Sequence, residues 1–192
     1  MNSIKKARII RAFLYLRSGH TLASIFLKKP PMQAVRDDLR LGDVLDLPPE
    51  IRFPGRSLLV FVRHTGCPFA ERDIKRVSGW AAENSEVRVV VVTHGDEELR
   101  DVWLADIGGA AGLTFYHDPD RRLYGQAGLG FSVASHFMGL PSLLGVMRLW
   151  REGIRNRSAS GTRWQRAGVL LLEDGKLIWR HIPESAEGFR LP

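Results

Sequence analysis

One cysteine, Cys67, occurs in the 192 residues. No disulfide can form within the chain, so the fold needs no oxidising compartment and a reducing cytoplasm is the expected setting. A lone thiol gives no zinc-ligand pattern. The histidines, His20, His64, His94, His117, His136 and His181, show no paired spacing, so no metal site is expected. Acidic residues are missing from residues 1–36, and residues 123–147 hold no Asp, Glu, Lys or Arg. The second stretch is long enough to span a membrane. Gly125, Gly128, Gly130, Gly139, Gly145, Pro141, Gln126 and His136 interrupt it, so it reads as a buried or surface-covering insertion. The spacing of Gly125, Gly128 and Gly130 is not that of a dinucleotide fingerprint, and no cofactor is expected. Internal repeats and low-complexity tracts are also lacking.

The formal charge of +7 is unevenly placed. Residues 1–36 carry eight of the 28 basic residues, which leaves 20 basic against 21 acidic in the rest. The chain therefore divides into a basic N-terminal extension, 1–36, and a near-neutral domain, 37–192. In the extension Ile4, Ile9, Ile10, Phe13, Leu14 and Leu16 alternate with Lys5, Lys6, Arg8, Arg11 and Arg17 in a partly helical pattern. Such a basic amphipathic segment suits packing on the domain, peripheral contact with an anionic membrane surface, or targeting. A second basic cluster comprises Arg148, Arg151, Arg155, Arg157, Arg163 and Arg166. Neither cluster has the interleaved aromatics or motif of a nucleic-acid reader, so no nucleic acid is expected as a partner.

Hydrophobic periodicity orders the domain. Strands are expected at 57–62, 87–93 and 113–117, alternating with helices at 68–82, 97–105 and about 121–127. The valine-rich second strand suits a parallel sheet buried on both faces. Two further strands, 168–172 and 177–180, flank Asp174-Gly175, a strong hairpin signal. The expected class is α/β, with a central mixed sheet ending in a C-terminal β-hairpin.

Cys67 falls where the first strand gives way to a helix. Pro68 suits the first helical position, which leaves Cys67 at the N-cap, where unpaired N–H groups and the helix dipole favour a thiolate. The competing reading is a small buried hydrophobe without chemistry.

The βαβ unit with a thiol at its turn, closed by an Asp-Gly hairpin, resembles the thioredoxin fold, a three-layer sandwich. Arg63-His64-Thr65-Gly66-Cys67-Pro68-Phe69 resembles the core motif of the peroxiredoxin-like branch of the alkyl hydroperoxide reductase/thiol-specific antioxidant (AhpC/TSA) superfamily. Gly161-Thr162-Arg163-Trp164-Gln165 and the preceding insertion with Gly153-Ile154-Arg155-Asn156-Arg157 are similar to that branch as well, so the likeness covers residues 41–187.

The resemblance implies an antioxidant oxidoreductase that reduces hydroperoxides through Cys67. Thr65 and Arg163 would stabilise the leaving oxygen and His64 would support the thiolate. Pro68, Phe69, Trp164, Gln165 and Arg166 would shape the substrate pocket. Ala70 stands where many relatives carry a second cysteine, so a self-contained dithiol cycle is impossible. The sulfenic acid must then be resolved by an external thiol, such as glutathione or a thioredoxin-like protein, or by another chain in a homodimer. Such a peroxidase needs an exposed Cys67. The rival expectation is a thioredoxin-like module that has lost chemistry and serves in binding or at a membrane periphery.

Overall fold

Successive strand side chains point to opposite faces, so the unbroken valines 89–92 can all be buried only in a strand covered on both sides. The computed structural model, which describes residues 34–133, 139–157 and 159–192, places them on an interior strand of a five-stranded sheet. The strands are β1 (Arg56–Phe61), β2 (Arg88–Thr93), β3 (Thr114–His117), β4 (Gly168–Glu173) and β5 (Lys176–His181), in the order β3-β2-β1-β4-β5. β1 runs parallel to β2, and β2 to β3, whereas β4 is antiparallel to both β1 and β5. Each expected strand lies within a residue of its observed bounds. The expected extension, 1–36, lies almost wholly outside the described residues.

The parallel pairs need crossovers. α1 (Pro68–Glu83) connects β1 to β2, and α2 (Glu97–Asp106) connects β2 to β3. Asp96 caps α2 by accepting a hydrogen bond from the Leu99 amide at 2.9 Å, and Glu97 and Glu98 complement the helix dipole. α3 (Arg122–Gln126) follows β3, and α4 (Leu140–Arg151) precedes β4. Between β4 and β5, Asp174 and Gly175 both adopt positive φ, 48° and 80°. That geometry matches the twist of a two-residue hairpin.

Two apolar layers sandwich the sheet. Leu58, Val60, Val89, Val91 and Val169 pack with Ile74 and Val77 of α1, Trp103 of α2 and Leu149 of α4. Leu59, Phe61, Val90, Val92, Leu170 and Leu172 face Leu39, Leu45, Leu47 and Ile51 of the lead-in, with Leu123 and Tyr124 of α3. The lead-in also covers the start of β5, where the Gly42 amide donates to the Leu177 carbonyl at 2.7 Å and the Leu177 amide to that of Asp43 at 2.8 Å. An edge strand is thereby protected.

The uncharged stretch 123–147 divides rather than forming one cover. Leu123, Tyr124 and Leu129 are buried, whereas α4 turns most of its large apolar side chains outward; residues 134–138 lie outside the described residues. No described helix is long and apolar enough to cross a membrane.

Tyr124 ties the second layer to the strand ends. Its hydroxyl donates to the Val62 carbonyl at 2.6 Å and lies 2.9 Å from the Val92 carbonyl, and its ring meets Phe61 edge-on at 5.1 Å. Tyr124→Phe keeps the ring and strands the Val62 carbonyl, so it should lower unfolding free energy by about 1–3 kcal/mol in urea titration.

Candidate active site

The turn from β1 into α1 is built to present residue 67. Gly66 has φ 86°, a backbone conformation in which a side chain is strained. Cys67 then takes the N-cap position of α1 in extended geometry (φ −74°, ψ 132°), and its side chain makes no capping hydrogen bond. With proline at 68, the first-turn amides of Phe69 and Ala70 have no intrahelical acceptor.

Residues far along the chain, together with His64 of the turn itself, fix the carbonyls of this turn. His94 Nε2–H donates to the Arg63 carbonyl at 2.8 Å. His64 Nδ1–H and the Ser160 amide donate to that of Thr65 at 2.9 and 3.3 Å, and the Arg157 amide donates to that of Gly66 at 2.9 Å. The Thr65–Ser160 contact is an antiparallel bridge, which brings the arginine-bearing loop after Ser160 against the turn. Gly161 permits this approach, because a Cβ there would overlap the His94 ring.

Burial dominates the electrostatics. Desolvation, with the positive charges of Arg63 and Arg163 adding to it, pushes His64 down to about 3. Desolvation likewise pushes His94 down to about 4, against the opposing effect of its bond to the Arg63 carbonyl. Both rings are therefore neutral near pH 7 and act as hydrogen-bond donors that shape the backbone. Burial also lowers Arg163 from its ordinary value, the neighbouring Cys67 opposes the shift, and Arg63 reinforces it. Arg63, His64, Arg163 and Cys67 thus form one cluster. Thr65 is buried beside them, and its Oγ1 has no hydrogen-bond partner among the described residues.

The exposed thiol expected of a peroxidase is corrected by the structure, since Cys67 is only 4% exposed. It lines a cavity of about 30 Å³ together with Arg63, Phe69, Asp73, Ala167 and, from the C-terminal segment, Pro183, Ser185, Ala186 and Phe189. That segment closes over the thiol because α1 holds it. Arg72 binds Glu187 Oε2 at 2.9 Å, Arg76 donates to the Phe189 carbonyl at 3.3 Å, and the Arg76 guanidinium lies over the Phe189 ring.

The expected pocket residues separate. Phe69 lines the cavity, while Pro68 is buried at the helix start. Gln165 is not a pocket residue of Cys67: its Nε2 donates to the Leu129 carbonyl at 2.7 Å and it lines a different, smaller cavity. Trp164 lies outside the cavity lining and accepts hydrogen bonds from Ser132 through its carbonyl. Arg166 is also outside the lining, but donates to the carbonyl of the cavity residue Pro183 at 3.4 Å. His117 is half-buried at the end of β3 and outside the lining. Among the described residues no His, Cys, Asp and Glu group could hold a metal.

Sequence reasoning missed Asp73. It shares the Cys67 cavity, pairs with Arg72 at 2.7 Å, and is pushed up to about 7 by burial, with Arg72 opposing and Cys67 adding to the rise. Its signal was available: Ala70, Asp73 and Val77 lie at i, i+3 and i+7, which sets a carboxylate on the apolar stripe of α1.

A family model described as AhpC/TSA antioxidant enzyme matches residues 75–185. The match includes Arg163 and begins after Cys67. Among solved structures, the chain is similar to a peroxiredoxin-like protein from Aquifex aeolicus, at 14% identity and TM-score 0.54, covering 82% of this chain and 84% of that one. It is similar also to a thiol peroxidase from Chromobacterium violaceum, at 12% identity and TM-score 0.53, with the same coverage of 82% and 84%. A secreted Mycobacterium tuberculosis disulfide oxidoreductase overlaps only in part, at 19% identity and TM-score 0.34, over 40% of this chain and 61% of that one. No curated protein matches the chain. The fold is thioredoxin-like.

Two outcomes are expected. Phe189→Ala should open the cavity and raise the rate of Cys67 alkylation by a maleimide by about tenfold or more, measured by intact mass, while the far-ultraviolet spectrum stays unchanged. The neutral His64 and His94 contribute stability that is present above pH 6.5 and is lost as the pH falls toward 4 and 3. Asp73 acts oppositely, its contribution being lost between 3.8 and 7 as pH rises. Burial raises Asp118 as well, so between pH 6.5 and 4 unfolding free energy should decline on acidification by at most about 1.4 kcal/mol per pH unit. His64→Gln should flatten that decline in denaturant titrations at pH 7 and 5.

Proposed function

Because the chain belongs to the AhpC/TSA antioxidant enzyme family, we propose that it is a thiol-dependent peroxidase in which Cys67 alone reduces small hydroperoxides. The observation that carries this reading is a thiol at the N-terminus of α1 lining a small cavity with Arg63, beside Arg163 and the unpartnered Thr65 hydroxyl. A cavity of about 30 Å³ exceeds the roughly 10–15 Å³ that a single water needs and suits a molecule of a few heavy atoms. Hydrogen peroxide suits that space better than a long-chain hydroperoxide.

In the proposed step the Cys67 thiolate attacks one peroxide oxygen. An S–O bond forms, the O–O bond breaks, sulfur gives up two electrons, and the other oxygen departs with its electron pair. Arg63 and the Phe69 and Ala70 amides, which border the cavity, are the donors for that developing charge, and Arg163 and Thr65 Oγ1 support them from outside its lining. Asp73 supplies the proton that converts the leaving oxygen into water or an alcohol. Cys67 is left as a sulfenic acid. An external thiol condenses with it, releasing water and forming a mixed disulfide, and a second thiol restores Cys67. Glutathione and a thioredoxin-like protein both fit this requirement. The reductant and homodimer formation are parts of the proposal, as is the division into an extension, 1–36, and a domain, 37–192.

Burial of Cys67 counts against this reading, which called for an exposed thiol, and favours a second one, in which the domain binds a partner and performs no chemistry. One experiment separates them. The protein is mixed with a slight excess of hydrogen peroxide and a sulfenic-acid trap, and intact mass is followed with Cys67→Ser as the control. The expected result is rapid trapping at Cys67 that thiol reverses. A folded protein whose thiol stays unmodified would establish the second reading. Asp73→Asn should slow trapping on the order of a hundredfold at pH 6. It should also abolish the fall in rate between pH 6 and 8 that follows from ionising a proton donor whose pKa is about 7.

A further inference from the structure

α4 reverses the usual arrangement of a surface helix. The residues it turns inward are Ser142, Gly145 and Leu149, a stripe at i, i+3 and i+7 that is mostly small. Gly145 lies so close to α1 that a Cβ there would come within 2.9 Å of the Phe69 ring. The large apolar residues face outward: Leu140, Leu143, Leu144, Val146, Met147 and Trp150 are between 37% and 69% exposed. A contiguous apolar surface of this kind marks an interaction site more often than scattered exposed residues do.

Charge identifies its occupant. Arg151 continues the outward stripe of Leu140, Leu144 and Met147 at helical spacing, and the Arg155 guanidinium lies 5.9 Å from the Trp150 ring centre. Neither arginine has a carboxylate partner among the described residues. α4 contains no acidic residue. Glu152, the C-cap of α4, lies three residues beyond Leu149 along the helix, and Glu187 is bound by Arg148 and Arg72. The outward surface is therefore apolar along its length and cationic at one end. A second copy packed α4 against α4 would bring no acidic residue of that helix to those arginines. An anionic bilayer meets both features, because leucine, methionine and tryptophan side chains enter the interface while arginines contact lipid phosphates.

We propose that the outward face of α4 docks this protein on anionic lipid surfaces, with the helix lying in the interfacial plane. The proposal is independent of chemistry at Cys67. Its test is co-sedimentation of the full chain with vesicles of equal phosphatidylglycerol and phosphatidylcholine, and with phosphatidylcholine alone, at low and high salt. The expected result is binding to the anionic vesicles at least tenfold tighter than to the neutral ones and weakened by salt. Leu144→Glu with Met147→Glu should reduce that binding tenfold or more, and so should Arg151→Gln with Arg155→Gln, with unchanged melting temperature in each case. Three outcomes would overturn it. The first is a wild type that does not bind anionic vesicles. The second is binding of every variant as the wild type binds, which assigns lipid contact to residues 1–33. The third is a dimer in sedimentation, dissociated by the glutamate pair, that does not bind lipid.

Discussion

The thiol's position depends on where the carbonyl groups beyond β1 find hydrogen-bond donors. Once the strand ends, the ladder no longer supplies them, and buried carbonyls left unpaired would cost stability. Tyr124 binds the carbonyl of Val62, His94 that of Arg63, His64 and Ser160 that of Thr65, and Arg157 that of Gly66. Three other regions of the chain, at 94, 124 and 157–160, therefore converge on four carbonyls between residues 62 and 66. The Cys67 carbonyl enters the helical ladder through Glu71, so the turn is fixed from both ends.

This anchoring explains why the two histidines are poor candidates for proton transfer. Each spends a ring N–H on a backbone carbonyl in a buried site where positive neighbours oppose protonation. They hold the turn, and the charge around the thiol is left to Arg63, Arg163 and Asp73. Asp73 in turn is linked through Arg72 to Glu187, and Glu187 to Arg148 on α4. The chain of ion pairs joins the cavity, the C-terminal segment and the exposed helix. It is partly buried at Arg72 and Asp73 and open at Arg148, so its inner pair is less screened by salt than its outer one.

Restriction of the cavity has a comparable origin. The N-terminal turn of α1 and the end of β1 form its floor, whereas residues 183–189 form its cover. The cover is held by Arg72, Arg76 and Arg166 through charges and carbonyls, with Phe189 as its apolar contact. A thiol at a helix mouth, which sequence logic would expose, becomes buried because the chain's end returns to cover it.

Local pattern alone was enough to place the sheet and the thiol. Valines 89–92 required a strand buried on both faces, Asp174-Gly175 required a hairpin, and Gly66-Cys67-Pro68 required a strand-to-helix turn, because each is set by local backbone sterics and periodicity. Tertiary structure decided the rest. It turned Gln165 toward Leu129 and Gly130, folded residues 183–189 over Cys67, and set Asp73 in the same cavity. It also packed α4 through Ser142 and Gly145, leaving its leucines and tryptophan outside. Each of these outcomes depends on contacts between residues far apart in the chain, where a side chain's environment is fixed by what packs against it and local pattern carries no record of that neighbour.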